Sequence, residues 1–440
     1  MRKGCGTWHL EATEWVMDKG RGPMRRRAFL AGSAALVAAG LTRPTAAPAV
    51  APPPAGWLDA VRRDFVLLPD VVQMAGFLLA AHPRPVREAI DRHRQGLDTD
   101  PTRYLEQNNR RLEGAVRAAA AQHLGVQASH VALTDSTTMG LGLVYGSIQV
   151  REDQEFLATT HDHYATHESL RLRAEASGAS LRKIRLYESV REVTREEILE
   201  RVREGVGEAT RVLAVTWVHS STGLQLPLAG IAQVVAEANA GRAPEDQILF
   251  CVDGVHGLGV EAVGLGALGC DIFVAGTHKW LCGPRGTGIV WANARGRAAL
   301  RPIIPTFSRG AGWGGLMTPG GFHSFEHRWA LAQAFEWHHG LDPARVQAHI
   351  HALAQQCREG LEAIPRVRLH TPLDPDLSAG ICSFDLVGQH PANAARLLRE
   401  RGIIASHAPY ERSYVRLAPM VYTTPEEVDQ ALEAVEALAG

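Results

Sequence analysis

Lys279 stands in Val274-Ala275-Gly276-Thr277-His278-Lys279-Trp280-Leu281-Cys282-Gly283-Pro284. The apolar run Ile272-Phe273-Val274 predicts a strand that delivers His278 and Lys279 into a turn rich in glycine and proline. A lysine held by such a turn is partly desolvated. Its amine then gives up a proton more readily and can attack a carbonyl. Upstream, Ile248-Leu249-Phe250-Cys251-Val252 predicts a second strand, which ends in Asp253. An acid at one strand end and a lysine at the next is the pair that pyridoxal phosphate (PLP) requires: the amine takes the aldehyde and the carboxylate holds the pyridinium proton. Taken singly, the lysine reads as a solvated surface residue and the aspartate as a helix cap or turn residue. Their order, spacing and glycine-rich sequel favour the joint reading.

A phosphate needs free N–H groups at a helix start, where the helix dipole also favours an anion. Residues 131–140 offer a strand, a hydroxyl cluster (Thr134, Ser136, Thr137, Thr138) and a helix start. An ordinary Ser/Thr cap is the plainer reading of that stretch. His161, His163 and His167 follow the next strand with HxHxxxH spacing, which could hold a metal. A turn at a sheet edge, without helical phase, organises such ligands poorly, so no metal is expected. Residues 264–269 match GxGxxG, but the strand lies on the far side and no acid follows at the distance a βαβ unit needs. They are read as a tight loop.

Three motifs then fall in one order: Asp253-Gly254-Val255-His256; His278-Lys279 with Gly283-Pro284; and Arg416 ahead of Thr423-Thr424-Pro425-Glu426-Glu427-Val428-Asp429. Over roughly residues 70–438 the chain resembles the class V branch of the fold-type I PLP enzymes. That branch includes cysteine desulfurases, isopenicillin-N epimerase-like proteins and kynureninases. The resemblance implies roles for ten residues. Lys279 binds the aldehyde and Asp253 the ring nitrogen. The Thr138 hydroxyl and the Thr137 and Thr138 amides hold the phosphate, with His278 beside them. His163 stacks on the pyridine and is a candidate acid/base. Ser220 stands where the family often has Asn on the phenolic oxygen; His219 or Ser221 could substitute there, and His256 matches a position near the same oxygen. Arg416 forks onto the substrate α-carboxylate. A Gly-Thr turn that normally reaches the phosphate from a partner subunit is replaced here by Phe325-Glu326-His327-Arg328-Trp329, and Arg328 is expected to take over that contact across a homodimer interface.

The 440 residues are 45% hydrophobic and 21% charged, ordinary for a globular enzyme, and the net charge of −1 gives no electrostatic case for nucleic acid or anionic membrane as partner. Arg25-Arg26-Arg27-Ala28-Phe29-Leu30 leading into the small or apolar run 31–41 looks like a twin-arginine export signal. The apolar run is about half of the ~20 residues a membrane span needs. Met24 directly precedes the arginines, so residues 1–23 are read as an upstream extension from a misplaced start codon. The twin-arginine machinery carries folded proteins, so the expectation is folding and cofactor loading in the cytoplasm, then a periplasmic or exported location. Of six cysteines, Cys5 leaves with the leader, Cys251 and Cys270 lie in or beside apolar strands, and no CxxC occurs.

Strands are expected at 131–133, 155–158, 181–185, 212–217, 248–252, 272–275 and 288–291, with helices between most of them, for example 228–240. This alternation predicts an α/β layer around a mostly parallel sheet. After Glu326 come helices at 328–338 and 343–364 and strands at 367–369, 381–386 and 414–417, a smaller α+β lobe. The expected organisation is residues 1–51 as signal and linker, 57–80 with 335–440 as a small domain, and 81–334 as the large PLP-binding domain.

The expected function is a PLP enzyme acting at Cα of an amino-acid-like substrate, by epimerisation, transamination or lysis. The family's desulfurases need a nucleophilic cysteine on the loop before the arginine. Residues 404–413 contain none, which disfavours a persulfide mechanism and leans the kinship toward the isopenicillin-N epimerase-like proteins. His163, Tyr164 and Tyr410 are candidates for a second acid/base. A C–S lyase without the persulfide cysteine, or a non-catalytic PLP-fold binding protein, are the alternatives.

Overall fold

A computed structural model describes residues 55–440, so the twin-arginine and start-codon expectations and Cys5 lie outside the described residues. A helix at Trp57–Arg63 is followed by β1 (Val72–Gln73) and by helices Arg84–Thr99 and Pro101–Leu124. Seven strands come next: β2 (Val131–Thr134), β3 (Glu155–Thr159), β4 (Ser180–Ile184), β5 (Thr210–Thr216), β6 (Leu249–Asp253), β7 (Ile272–Gly276) and β8 (Gly288–Ala292). All but β4 are buried along their whole length. That is why they read as continuous apolar runs rather than alternating ones.

They form one sheet in the order β2-β8-β7-β6-β5-β3-β4. Pairings from β7 through β4 are parallel, and β8 runs antiparallel to both β2 and β7. Helices cover both faces. Val86, Val116, Ile198, Ile231, Val235 and Phe335 pack against one face with Leu133, Phe250 and Phe273. Leu141, Val144 and Leu170, from helices Thr137–Ser147 and Tyr164–Ser177, pack against the other with Phe156, Val212 and Val290.

A second sheet follows helices Phe325–Gly340 and Pro343–Ala363. Its strands are β9 (Val367–Leu369), β10 (Cys382–Leu386), β12 (Ser406–His407) and β13 (Val415–Leu417), antiparallel in the order β12-β13-β10-β9. Between them β11 (Ile403–Ile404) pairs in parallel with β1. The returning N-terminal segment thus places Val72 and Met74 in the core of this second sheet. A further cluster joins Trp57, Val61, Phe65 and Phe77 to Trp280, Ile350, Met420 and Tyr422. Residues 264–269 hold one short helical turn, Leu265–Leu268, leading into β7.

Chain order reverses across β3: β4 lies on one side, β5, β6 and β7 on the other. In open sheets of this kind the crevice beyond the carboxyl ends, at the point of reversal, is where ligands bind. The residues after β2, β3, β5, β6 and β7 all open into that crevice.

Candidate active site

Eight of the ten expected residues line one cavity of about 150 Å³: Thr137, Thr138, His163, Ser220, Asp253, His256, His278 and Lys279. Each comes from the carboxyl end of a strand or the helix start beyond it. Glycines permit the close approach of these loops. A Cβ on Gly254, next to Asp253, would lie 2.0 Å from the Phe273 ring. A Cβ on Gly276 would lie 2.9 Å from Thr137 Oγ1, the hydroxyl that accepts from Gly276 N at 2.8 Å.

Lys279 keeps part of its surface open to the cavity while protein surrounds it. Its amine is pulled down from 10.5 to about 8, first by burial, against the attraction of the Asp253 carboxylate. Asp253 is only 2% exposed and accepts from Val255 N at 3.1 Å. Burial pushes its carboxyl up to about 6. His256 Nε2 lies 3.1 Å from Lys279 Nζ, and Trp280 Nε1 donates to His256 Nδ1 at 3.3 Å.

The helix Thr137–Ser147 starts at the cavity, capped by the Ser136 hydroxyl, which accepts from Met139 N at 3.1 Å. Its first-turn N–H groups at Thr137 and Thr138 therefore face the cavity at the positive end of the helix dipole. His163 caps the helix Tyr164–Ser177, its Nδ1 accepting from Ala165 N at 3.2 Å. Burial, then the Lys279 charge, holds His163 down at about 4, so it is neutral at pH 7. His278 is likewise lowered to about 4, first by burial.

Arg416, on β13, is not among the cavity residues but bonds to Ser220, which is. Its guanidinium donates to Ser220 O and His407 O, each at 2.8 Å, and to Ser406 Oγ at 3.2 Å, and lies 4.9 Å from the centre of the Phe77 ring. It is 2% exposed, and among the described residues no carboxylate pairs with it. Burial lowers it to about 10. A desolvated cation with no anionic partner is suited to an incoming carboxylate.

Arg328 is not among the cavity residues. Buried in this chain, it pairs with Asp135 at 2.9 Å and Glu113 at 3.6 Å. Asp135 directly precedes the Ser136 cap, so the contact steadies the helix start that faces the cavity. His219 also stays out of the cavity: fully buried, it stacks 5.5 Å from His161 with both ring nitrogens unpartnered. The three histidines of the HxHxxxH stretch diverge. His161 stacks on Tyr187, His163 faces the cavity, and His167 Nε2 bonds Thr159 O at 2.8 Å. No cluster of three or more metal-ligating side chains occurs among the described residues.

Several participants were not singled out from the sequence, and one, Tyr410, was expected only as a candidate acid/base. Asp162, buried, accepts from Thr159 N and Thr216 N, each at 2.7 Å, and ties the ends of β3 and β5 together. Tyr410 reaches across to the Ser220 hydroxyl. Phe77 and Trp280 pack on His256, their ring centres 6.2 Å apart. Beside the cavity a wider cleft of about 620 Å³ runs between Tyr187, Tyr410 and Tyr414. The five cysteines among the described residues are all buried and unpaired, and none lines the cavity or the cleft.

The cavity fits PLP by its own chemistry. Thr216 Oγ1 is buried there with no hydrogen-bond partner. The helix start supplies donors for a phosphate, Asp253 an acceptor for a protonated ring nitrogen, and Lys279 an amine for an aldehyde.

Comparison with known proteins gives a consistent picture. The family described as aminotransferase class-V matches residues 82–430. A probable cysteine desulfurase of Vibrio cholerae is 26% identical over 415 residues, covering 86% of this chain and 97% of that protein. Isopenicillin N epimerase of Streptomyces clavuligerus is 27% identical over 407 residues, covering 88% and 99%. Among solved structures, the cystine C–S lyase C-DES in complex with cysteine persulfide superposes with a TM-score of 0.75 at 20% identity, covering 84% of this chain and 98% of that one. That likeness shows the fold: an α/β, fold-type I architecture.

Proposed function

The chain belongs to the aminotransferase class-V family, and from that premise we propose that it is a PLP-dependent enzyme acting at Cα of an amino-acid-like substrate. Bound in this cavity, PLP supplies an electron-withdrawing ring that makes a substrate's Cα proton acidic. The protein's residues do the rest. The Thr137 and Thr138 amides, at the helix start, hold the phosphate. Asp253 keeps a proton on the ring nitrogen. Lys279 Nζ would be the group that holds the aldehyde carbon and, once free of it, the base that would move the Cα proton. Arg416 orients the α-carboxylate. His163, neutral, covers the ring from the helix start behind it.

The observation that carries this reading is the lysine itself: an amine held at about 8 in a cavity shared with a buried carboxylate. Two features favour the epimerase-like branch over a persulfide-forming desulfurase. Among the described residues no cysteine lies in the cavity or the adjoining cleft. The cleft of about 620 Å³ also has room for a side chain far larger than that of cysteine. Purified protein should show a visible absorption band that borohydride abolishes, with the reduced adduct on Lys279 by mass spectrometry. Amino acids added one at a time should shift the band, bulky ones most. Deuterium washed into Cα with inversion indicates an epimerase, pyruvate or ammonia release a lyase. A band that no amino acid shifts would mark a PLP-fold binding protein instead. We propose further that the chain is exported folded by the twin-arginine route; periplasmic fractions lacking the protein, in cells that express it, would rule this out.

A further inference from the structure

Trp280 offers one hydrogen-bonding group, an indole N–H that can only donate. It is aimed at His256 Nδ1 across 3.3 Å. The indole has no freedom to turn away. It is 1% exposed, and its far edge packs on Gly380, where a Cβ would come within 2.6 Å of Trp280 Cη2. Nδ1 of His256 is therefore an acceptor. His256 is 3% exposed and enclosed by Phe77, whose ring centre is 5.8 Å away. Burial, with the Arg416 charge beside it, keeps it neutral. A neutral imidazole carries one ring proton, and with Nδ1 accepting, that proton is on Nε2. Nε2 faces Lys279 Nζ at 3.1 Å.

The amine thus meets a donor. Only the free base has a lone pair to accept that proton; an ammonium would set N–H against N–H. The other charged or titratable groups around the pair are Asp253, Arg416, His163 and His278. Of these Asp253 alone favours the ammonium. We propose that Trp280 is a positioning residue: it sets the tautomer of His256, and through it favours the free-amine form of Lys279 that condenses with an aldehyde. This rests on Lys279 being the residue that takes PLP, but its test does not need the cofactor.

The test follows acylation of the cofactor-free full chain by acetic anhydride across pH, read peptide by peptide in a mass spectrometer. Only one other lysine lies among residues 55–440, the exposed Lys183, which serves as the internal reference. In Trp280→Phe the packing is largely kept and the donor is lost, so His256 can turn its lone pair to the amine. The midpoint for Lys279 should then rise by about one pH unit, the worth of one hydrogen bond, while that of Lys183 stays fixed. Lys279 acylation at pH 8 should fall several-fold. An unchanged midpoint in a folded variant overturns the proposal. If the variant fails to fold, nitrogen NMR of the unaltered protein decides: a His256 with its proton on Nδ1 overturns it, and one with its proton on Nε2 supports it. A reduced PLP adduct found away from Lys279 would sink the proposed function, yet leave the midpoint and the tautomer as they stand.

Discussion

Asp253 shows how a side chain can work against the empty protein in order to serve the loaded one. Its carboxyl is raised from 3.8 to about 6 on folding, mainly by burial. A group shifted upward stabilises the fold fully below its unfolded value, and that contribution is lost as pH climbs through the folded value. Between pH 4 and 6 the cofactor-free protein therefore forfeits stability, up to ~3 kcal/mol by pH 7. Asp253→Asn keeps the acceptor for Val255 N and removes the charge. Calorimetry on cofactor-free protein should show the variant melting a few degrees higher at pH 7 and no higher at pH 4. The loaded variant should lose most of its activity, because a neutral amide cannot hold the ring proton. A variant that melts lower at pH 7 contradicts this account. Arg416 carries the opposite imbalance, a buried cation without a carboxylate. Arg416→Lys gives up the forked geometry, and one lost charged hydrogen bond of about 1.5–3 kcal/mol corresponds to a KM about 10- to 150-fold higher. The absorption of the bound cofactor should not change.

Elements explain what the sequence disclosed and what it withheld. The seven strands of the large sheet were legible because six are buried on both faces and read as unbroken apolar runs, interrupted by helices. Asp253 and Lys279 were legible because the first ends such a run and the second follows one within three residues. The two-residue strands β1, β11 and β12 were not, since two residues carry no period. Nor was Phe77, whose partners lie far along the chain, and Tyr410 was legible as a candidate acid/base but not as the partner of Ser220. Tyr410 meets Ser220 across 190 positions. Phe77 comes from the N-terminal segment that β1 clips to β11, and it supports both Arg416 and His256. The segment before the large sheet is thus part of the site. Phe77→Leu keeps an apolar filling and removes the ring under the guanidinium. Its cost in stability should stay below about 1.5 kcal/mol, while the lost cation–π contact, about 0.5–2 kcal/mol, raises KM about 2- to 30-fold. Thermal melts and substrate titrations separate the two; a KM at the unaltered level would leave Phe77 a packing residue only.

Among the described residues, large apolar side chains that stand open to solvent cluster in two stretches, residues 66–79 and residues 303–322. Residues 303–322, between β8 and the helix Phe325–Gly340, expose Ile303, Phe307, Leu316 and Phe322, with Phe307 74% and Phe322 84% open to solvent. Two phenylalanines left so open on one segment are the mark of a surface meant to be covered. The same segment is wired to the cavity: the Ser308 hydroxyl donates to Glu113 at 2.9 Å, Glu113 pairs with Arg328, and Arg328 holds Asp135 at the helix start that faces the phosphate position. A second copy of the chain covering this segment would therefore steady the phosphate loop of the copy it covers, and this is the homodimer we expect. Replacing Phe307 and Phe322 together by Ser should shift the protein from dimer toward monomer in light scattering and weaken PLP binding in parallel. Arg328→Ala should weaken PLP binding with the dimer intact, because it cuts the connection and leaves the apolar surface in place. If the double variant stays dimeric while binding PLP normally, the segment is not the interface, and the coupling between assembly and cofactor falls with it.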